Sequence, residues 1–206
     1  LLALIFLHKK YEKIKKNTIF VYHINNNTME LITNQRKVQQ LFNKGLGAGF
    51  PYFHQNKVLL PLALYEQGKK KTMCFAIDAL TDEQLADLLS CLIDMKESVL
   101  QKVWGEFRRD DIESIDFAIL QVKMLLLLGK IDSTMAMTMR IIFNKIKAMP
   151  ISAHQVKFGI KKDECGYMVT LKAGVTYQSD KHYLSLQTAL LNVSMQLVNA
   201  QFAMPC

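Results

Sequence analysis

The chain has 206 residues, half of them hydrophobic, and a formal charge of +8. That length supports one domain or two small ones with a sizeable core, and the apolar content excludes a disordered tail. Half of the charge falls in the first 28 residues, where Lys9, Lys10, Lys13, Lys15 and Lys16 face only Glu12, so too little remains elsewhere to infer a nucleic-acid or membrane partner.

Cys74, Cys91, Cys165 and Cys206 form no C-x-x-C pair and have no histidines at zinc spacing, which argues against a metal site. The apolar run Leu1–Leu7 precedes the basic residues, the reverse of a secretory leader, so reduced thiols and a cytoplasmic location are expected. Seven apolar residues are also far short of the ~20 that span a bilayer. Residues 1–28 read as an N-terminal extension, with Met29 as the start of a single α+β domain over 29–206. The competing reading is a genuine N-terminal helix or strand.

From Met29, the spacing of Leu31, Ile32, Gln35, Val38, Leu41 and Phe42 predicts a helix ending at Gly45. Gly45-Leu46-Gly47-Ala48-Gly49 then reads as its cap and turn, because a phosphate cradle follows a strand and opens a helix. Residues 57–65 predict a strand that Pro61 pushes to an edge or a bulge. Residues 66–70 predict its turn and Thr72–Ile77 its partner, with Lys69-Lys70-Lys71 at a solvated tip. Thr81-Asp82-Glu83-Gln84 matches a capping box for a helix to about Phe107.

Two further helices are expected, from Asp110 to about Leu128 and from Ser133 to about Met149, where Pro150 ends the second. Period-two alternation predicts strands over 156–161 and 167–177 around a turn at 162–166. Ser179-Asp180 is read as the cap of a last helix reaching Phe202. Residues 57–104 and 155–203 thus share one plan, hairpin then capped helix. The expected fold is one antiparallel sheet from two hairpins, packed with about five helices.

The chemistry-bearing residues are few. Cys165 with His154 or His182 and Asp180 is the best arrangement for a cysteine hydrolase, but Cys165 falls in a turn and the stray-thiol reading is preferred. Asp110, Asp111, Glu113 and Asp116 read as negative charge favoured at a helix N-terminus. No pattern calls for a cofactor. Nucleic-acid binding through Lys69–Lys71, Lys161 and Lys162 is an alternative weakened by the lack of aromatics in those turns.

The apolar surplus points instead to proteins. In the last helix Leu186, Leu190, Val193, Leu197 and Ala200 form one stripe, and Leu184, Leu191, Met195, Val198 and Phe202 form a second nearly opposite. Such a helix is either sandwiched in its own fold or faces a partner. Met135, Met137 and Met139 add flexible apolar side chains suited to varied ligands. Candidate partner-binding residues are therefore Leu184, Leu191, Met195, Val198, Phe202, Met135 and Met139.

The run Arg109-Asp110-Asp111-Ile112-Glu113-Ser114-Ile115-Asp116, leading into Phe117-Ala118-Ile119-Leu120, resembles a segment of the chaperone-adaptors of Dot/Icm type IV secretion, and the element order resembles that of bacterial secretion chaperones. The resemblance implies a non-enzymatic virulence adaptor that pairs with another small chaperone, binds effector clients and presents them to a coupling complex. Members of that family are commonly acidic, whereas this chain is basic.

Overall fold

The computed structural model describes residues 19–23, 29–32, 40, 45–54, 57–67, 69–101, 109–129 and 131–200. Within them the protein is α+β, with four long helices and two antiparallel sheets. The first sheet is built on β3 (Gly45–Ala48), β4 (Tyr52–His54), β5 (Lys57–Glu66) and β6 (Lys69–Ala76), and is extended past β6 by β1 (Ile19–His23) and β2 (Met29–Ile32). The second holds β7 (Lys157–Asp163), β8 (Gly166–Ala173) and β9 (Val175–Gln178) in that order. The helices are α1 (Asp82–Gln101), α2 (Arg109–Leu128), α3 (Ser133–Ala148) and α4 (Leu186–Asn199).

Several expectations change. The helix expected from Met29 is replaced at Met29–Ile32 by a strand paired with β1; the rest of that stretch lies outside the described residues, apart from Gln40. Gly45–Ala48 is a strand on β5, not a helix cap. Glycine weakens a strand's own preference, so pairing with the buried β5 decides its conformation.

Nor is β5 an edge strand, since β6 flanks one side and β3 and β4 share the other. Pro61 is tolerated because it faces the break between those two short strands. Leu62 pairs with Ala48, Leu59 pairs with Tyr52, and the Pro61 carbonyl accepts from the Gly49 amide (2.9 Å) between them. No ladder donor is needed there. The lysine run Lys69–Lys71 belongs to β6, and the turn sits earlier, at Gln67.

The two hairpins do not join in one sheet. Ile115, Asp116, Phe117 and Ala118 are consecutive and all buried, which on a helix covers every side. Accordingly α2 touches β3 of one sheet and β7 of the other, and packs along α1. Side chains of both sheets and all four helices belong to one core cluster. A helix apolar nearly all round needs cover from more than one layer.

The strand expected over 167–177 keeps its alternation as far as Ala173 but reverses at Gly174, whose φ of +72° suits glycine, and Val175 beyond it is exposed. Ala173 and Val175 therefore pair across the reversal, as Leu171 does with Tyr177. The capping box does form: the Thr81 amide donates to Gln84 Oε1 (3.0 Å) and the Gln84 amide to the Thr81 hydroxyl (3.3 Å).

Candidate partner-binding surface

The last helix starts later than Ser179-Asp180 suggests, because those residues have other work. Ser179 prolongs the β8–β9 pairing, its hydroxyl accepting from the Val169 amide (3.1 Å) and its own amide donating to the Val169 carbonyl (3.0 Å). Tyr167 and Tyr183 then exchange backbone bonds of 2.7 and 2.9 Å, and α4 begins after Ser185.

Across β8, α4 buries Ala189, Leu190, Val193 and Leu197. Its other face stays open: Met195 is 57% exposed and Leu191 41%, while Leu184, just ahead of the helix, is 93% exposed. Val198 is half-buried beside them, and Phe202 lies outside the described residues. Between the two faces runs a polar seam. Gln196 donates to the Gln178 carbonyl (2.7 Å) and to Asn192 Oδ1 (2.8 Å), which also accepts from the Asp180 amide (3.3 Å). The seam fixes the helix rotation, so the outward stripe is held outward.

On α3 the expectation needs correcting. Met135 and Met139 are core residues, 9% and 0% exposed, and Met137 is the member of the run that reaches the surface, with Ile141 one turn on. The sequence spacing places Met135 and Met139 on one stripe and Met137 opposite, but it does not say which stripe is covered.

The titratable candidates disperse. Cys165 and His182 do converge on Asp163: its carboxylate accepts from the Cys165 amide (3.0 Å) and lies 2.9 Å from His182 Nε2, an approach off the hydrogen-bonding direction. Partial desolvation pulls the Asp163 carboxyl up, but the Cys165 amide, His182 and Lys161 together hold it below its ordinary value. Asp180 instead accepts from the Tyr183 hydroxyl (2.6 Å). Burial pushes the Cys74 thiol up against the pull of the Tyr52 hydroxyl, and burial with Asp94 and Asp87 does the same to Cys91, so both are poor nucleophiles.

His154 lies elsewhere, with Nδ1 3.7 Å from Asp116 Oδ2. Asp116 is buried on α2, and Lys96 of α1 donates to its Oδ1 at 2.6 Å. Glu113, one turn earlier, accepts from the Ala153 amide (3.0 Å) and so caps the single helical turn Ala153–Gln155. Glu113 thus holds the turn leading to the second sheet onto α2, and Asp116 ties α2 to α1, tertiary roles that a helix-dipole reading misses. Among the described residues, no three metal-ligating side chains group together, and no helix is long and apolar enough to cross a membrane.

The sequence reading also missed a cleft between the β3–β4 region, α2 and α3. Phe50 lies 5.3 Å from Phe117 and Phe117 6.0 Å from Phe143, ring centre to ring centre. Lys147 Nζ sits 4.4 Å above the Phe50 ring, and Arg140 stands on the same rim. The i, i+7 spacing of Arg140 and Lys147 is visible in the sequence. Their aromatic neighbours, distant along the chain, are not.

No protein-family model, curated protein or solved structure matches the chain.

Proposed function

We propose that this chain is a non-enzymatic, protein-binding adaptor of the secretion-chaperone kind. In this reading it works in the cytoplasm, pairs with another small chaperone through α4, and presents effector proteins to a secretion machine. One observation carries the protein-binding part: Leu191 and Met195 of α4, with Leu184 just ahead of it, stay exposed while the opposite face of the helix buries Leu190, Val193 and Leu197. Large apolar side chains left exposed together on one helix face are the kind of surface that interaction sites use. The secretion assignment rests on the sequence resemblance at Arg109–Leu120 and on element order.

The test is purification from native cells with identification of co-eluting proteins, repeated with Met195→Glu. A carboxylate on the open face costs the folded chain little, but trapped unpaired in an apolar interface it costs several kcal/mol, or orders of magnitude in affinity. The expected result is loss of the partner with thermal stability nearly unchanged. Retention of every partner by the Met195→Glu variant overturns the reading.

A cysteine-dependent enzyme is the second reading, favoured by the shared contact of the Cys165 amide and His182 with Asp163. Loss of cellular activity in Cys165→Ala, with stability and partner binding intact, would move the assignment there.

A further inference from the structure

The aromatic cleft is separate from the outward face of α4 and has a chemistry of its own. Its volume is about 230 Å³, below the ~300–1,000 Å³ typical of sites for whole small molecules or cofactors. It suits one inserted side chain. Phe50, Tyr52 and Phe53 supply its aromatic wall over a floor of the buried Phe117 and Phe143, and no Asp or Glu is among the described residues lining it. Arg140 and Lys147 stand on its rim, both exposed and without an acidic partner among the described residues. A concave, aromatic-lined site with two exposed cations on its rim that meet no acid among the described residues selects a ligand that is apolar in the middle and negative on both sides.

The spacing narrows this further. Arg140 and Lys147 are seven residues apart on α3, which is roughly 10 Å along the axis at ~1.5 Å per residue. In an extended peptide, side chains at i, i+2 and i+4 share one face, and the outer two are about 13 Å apart. Two long, flexible cations reach both ends of such a segment while the central side chain enters the cleft.

We propose that the cleft binds an extended acidic peptide segment, inserting one aromatic or large aliphatic side chain flanked two positions away on each side by carboxylates. The inference rests on the adaptor reading and gives its client a chemistry; it does not depend on which protein covers α4. Single-stranded nucleic acid also combines aromatics with cations, but it needs open ring faces and a basic track along the backbone. Here Phe117 and Phe143 are buried with their rings tilted against each other. The lysine runs lie apart from the cleft on β6 and β7, with Lys161 3.5 Å from Asp163 and Lys162 over the Tyr167 ring.

The test is fluorescence anisotropy of a short labelled peptide, phenylalanine at its centre and aspartates two positions to either side, titrated with the full chain. Saturable, salt-sensitive binding is expected. It should weaken about tenfold or more in the double variant Arg140→Glu, Lys147→Glu, and similarly when asparagines replace the aspartates or alanine the phenylalanine. Both substituted positions are exposed, so folding is spared, and circular dichroism checks this.

The inference is overturned if the double variant or the asparagine peptide binds like the original. It is equally overturned if an oligonucleotide, or free phenylacetate, displaces the peptide as effectively as unlabelled peptide does. Met195→Glu should bind the peptide normally. Failure of the wild-type chain to bind, while native partners still depend on Met195, rejects the cleft and leaves the adaptor intact. The opposite pattern rejects only the α4 interface.

Discussion

The two hairpin-and-helix units, β5–β6 with α1 and β7–β8–β9 with α4, share an order of elements and little else. In the first, β5 is an inner strand, and Val58, Leu59, Leu60 and Leu62 in near succession are all buried, so both faces of the hairpin are covered. In the second, β7 alternates between exposed and half-buried residues, and α4 lies on its own sheet and on α3. The holding contacts differ: α1 packs on α2 and β3 with the partly buried ion pair of Lys96 and Asp116, while α4 is held by neutral bonds of Asn192 and Gln196 to Asp180 and the end of β9. The same local plan gives an enclosed unit in one place and a unit with a free helix face in the other. What differs is how many layers surround each.

That contrast can be broken most severely at Leu190. Leu190→Glu buries an unpaired carboxylate between α4 and β8, costing several kcal/mol, and should unfold the chain in thermal denaturation. Next in size is Lys96→Met, which leaves Asp116 buried without its cation. Removing one partner of a fully buried pair costs ~3–5 kcal/mol, and the partial exposure of Lys96 lowers this to about 2 kcal/mol. Chemical denaturation measures it; no loss of stability would mean that the pair contributes nothing to the enclosed unit.

Gly166→Ala strains the second unit at its turn. The backbone there has φ +123°, and an added Cβ would lie 2.4 Å from the Tyr183 carbonyl oxygen, so a cost of about 1–2 kcal/mol is expected. Amide exchange should show the loss at the Tyr167–Tyr183 bridge. Gln196→Ala removes the bond to the Gln178 carbonyl and should cost about 1 kcal/mol or less by denaturant titration, well under Lys96→Met. Equal costs would erase the distinction drawn between the two helices.

The smallest effect concerns Asp78, between β6 and α1. Burial pushes its carboxyl up, against the pull of the Val58 amide, its own amide and Lys57. Folded protein therefore holds this proton more tightly than unfolded protein does. Its contribution to stability is full below the ordinary carboxylate value and is lost as pH rises through the raised folded value. Asp78→Asn should be slightly more stable than the native chain above that window, by under about 1 kcal/mol, and equal to it below. Stability curves across acidic pH read this out.

Local chemistry was legible wherever neighbours in sequence decide the outcome. The Thr81–Gln84 box, the helix from Ser133 stopped before Pro150, and the two opposed stripes of α4 all rest on contacts within a turn or two, which fixed helical geometry imposes on any surroundings. Tertiary structure alone decided the rest. It turned Gly45–Ala48 into a strand, moved the α4 start to Leu186, and set two sheets about α2 instead of one. It buried Met135 and Met139 while leaving Met137 out, and it gathered Phe50, Phe117 and Phe143 beside Arg140 and Lys147. Periodicity shows that a helix has faces, but which face is covered depends on surfaces hundreds of atoms away along the chain, and only packing brings those together.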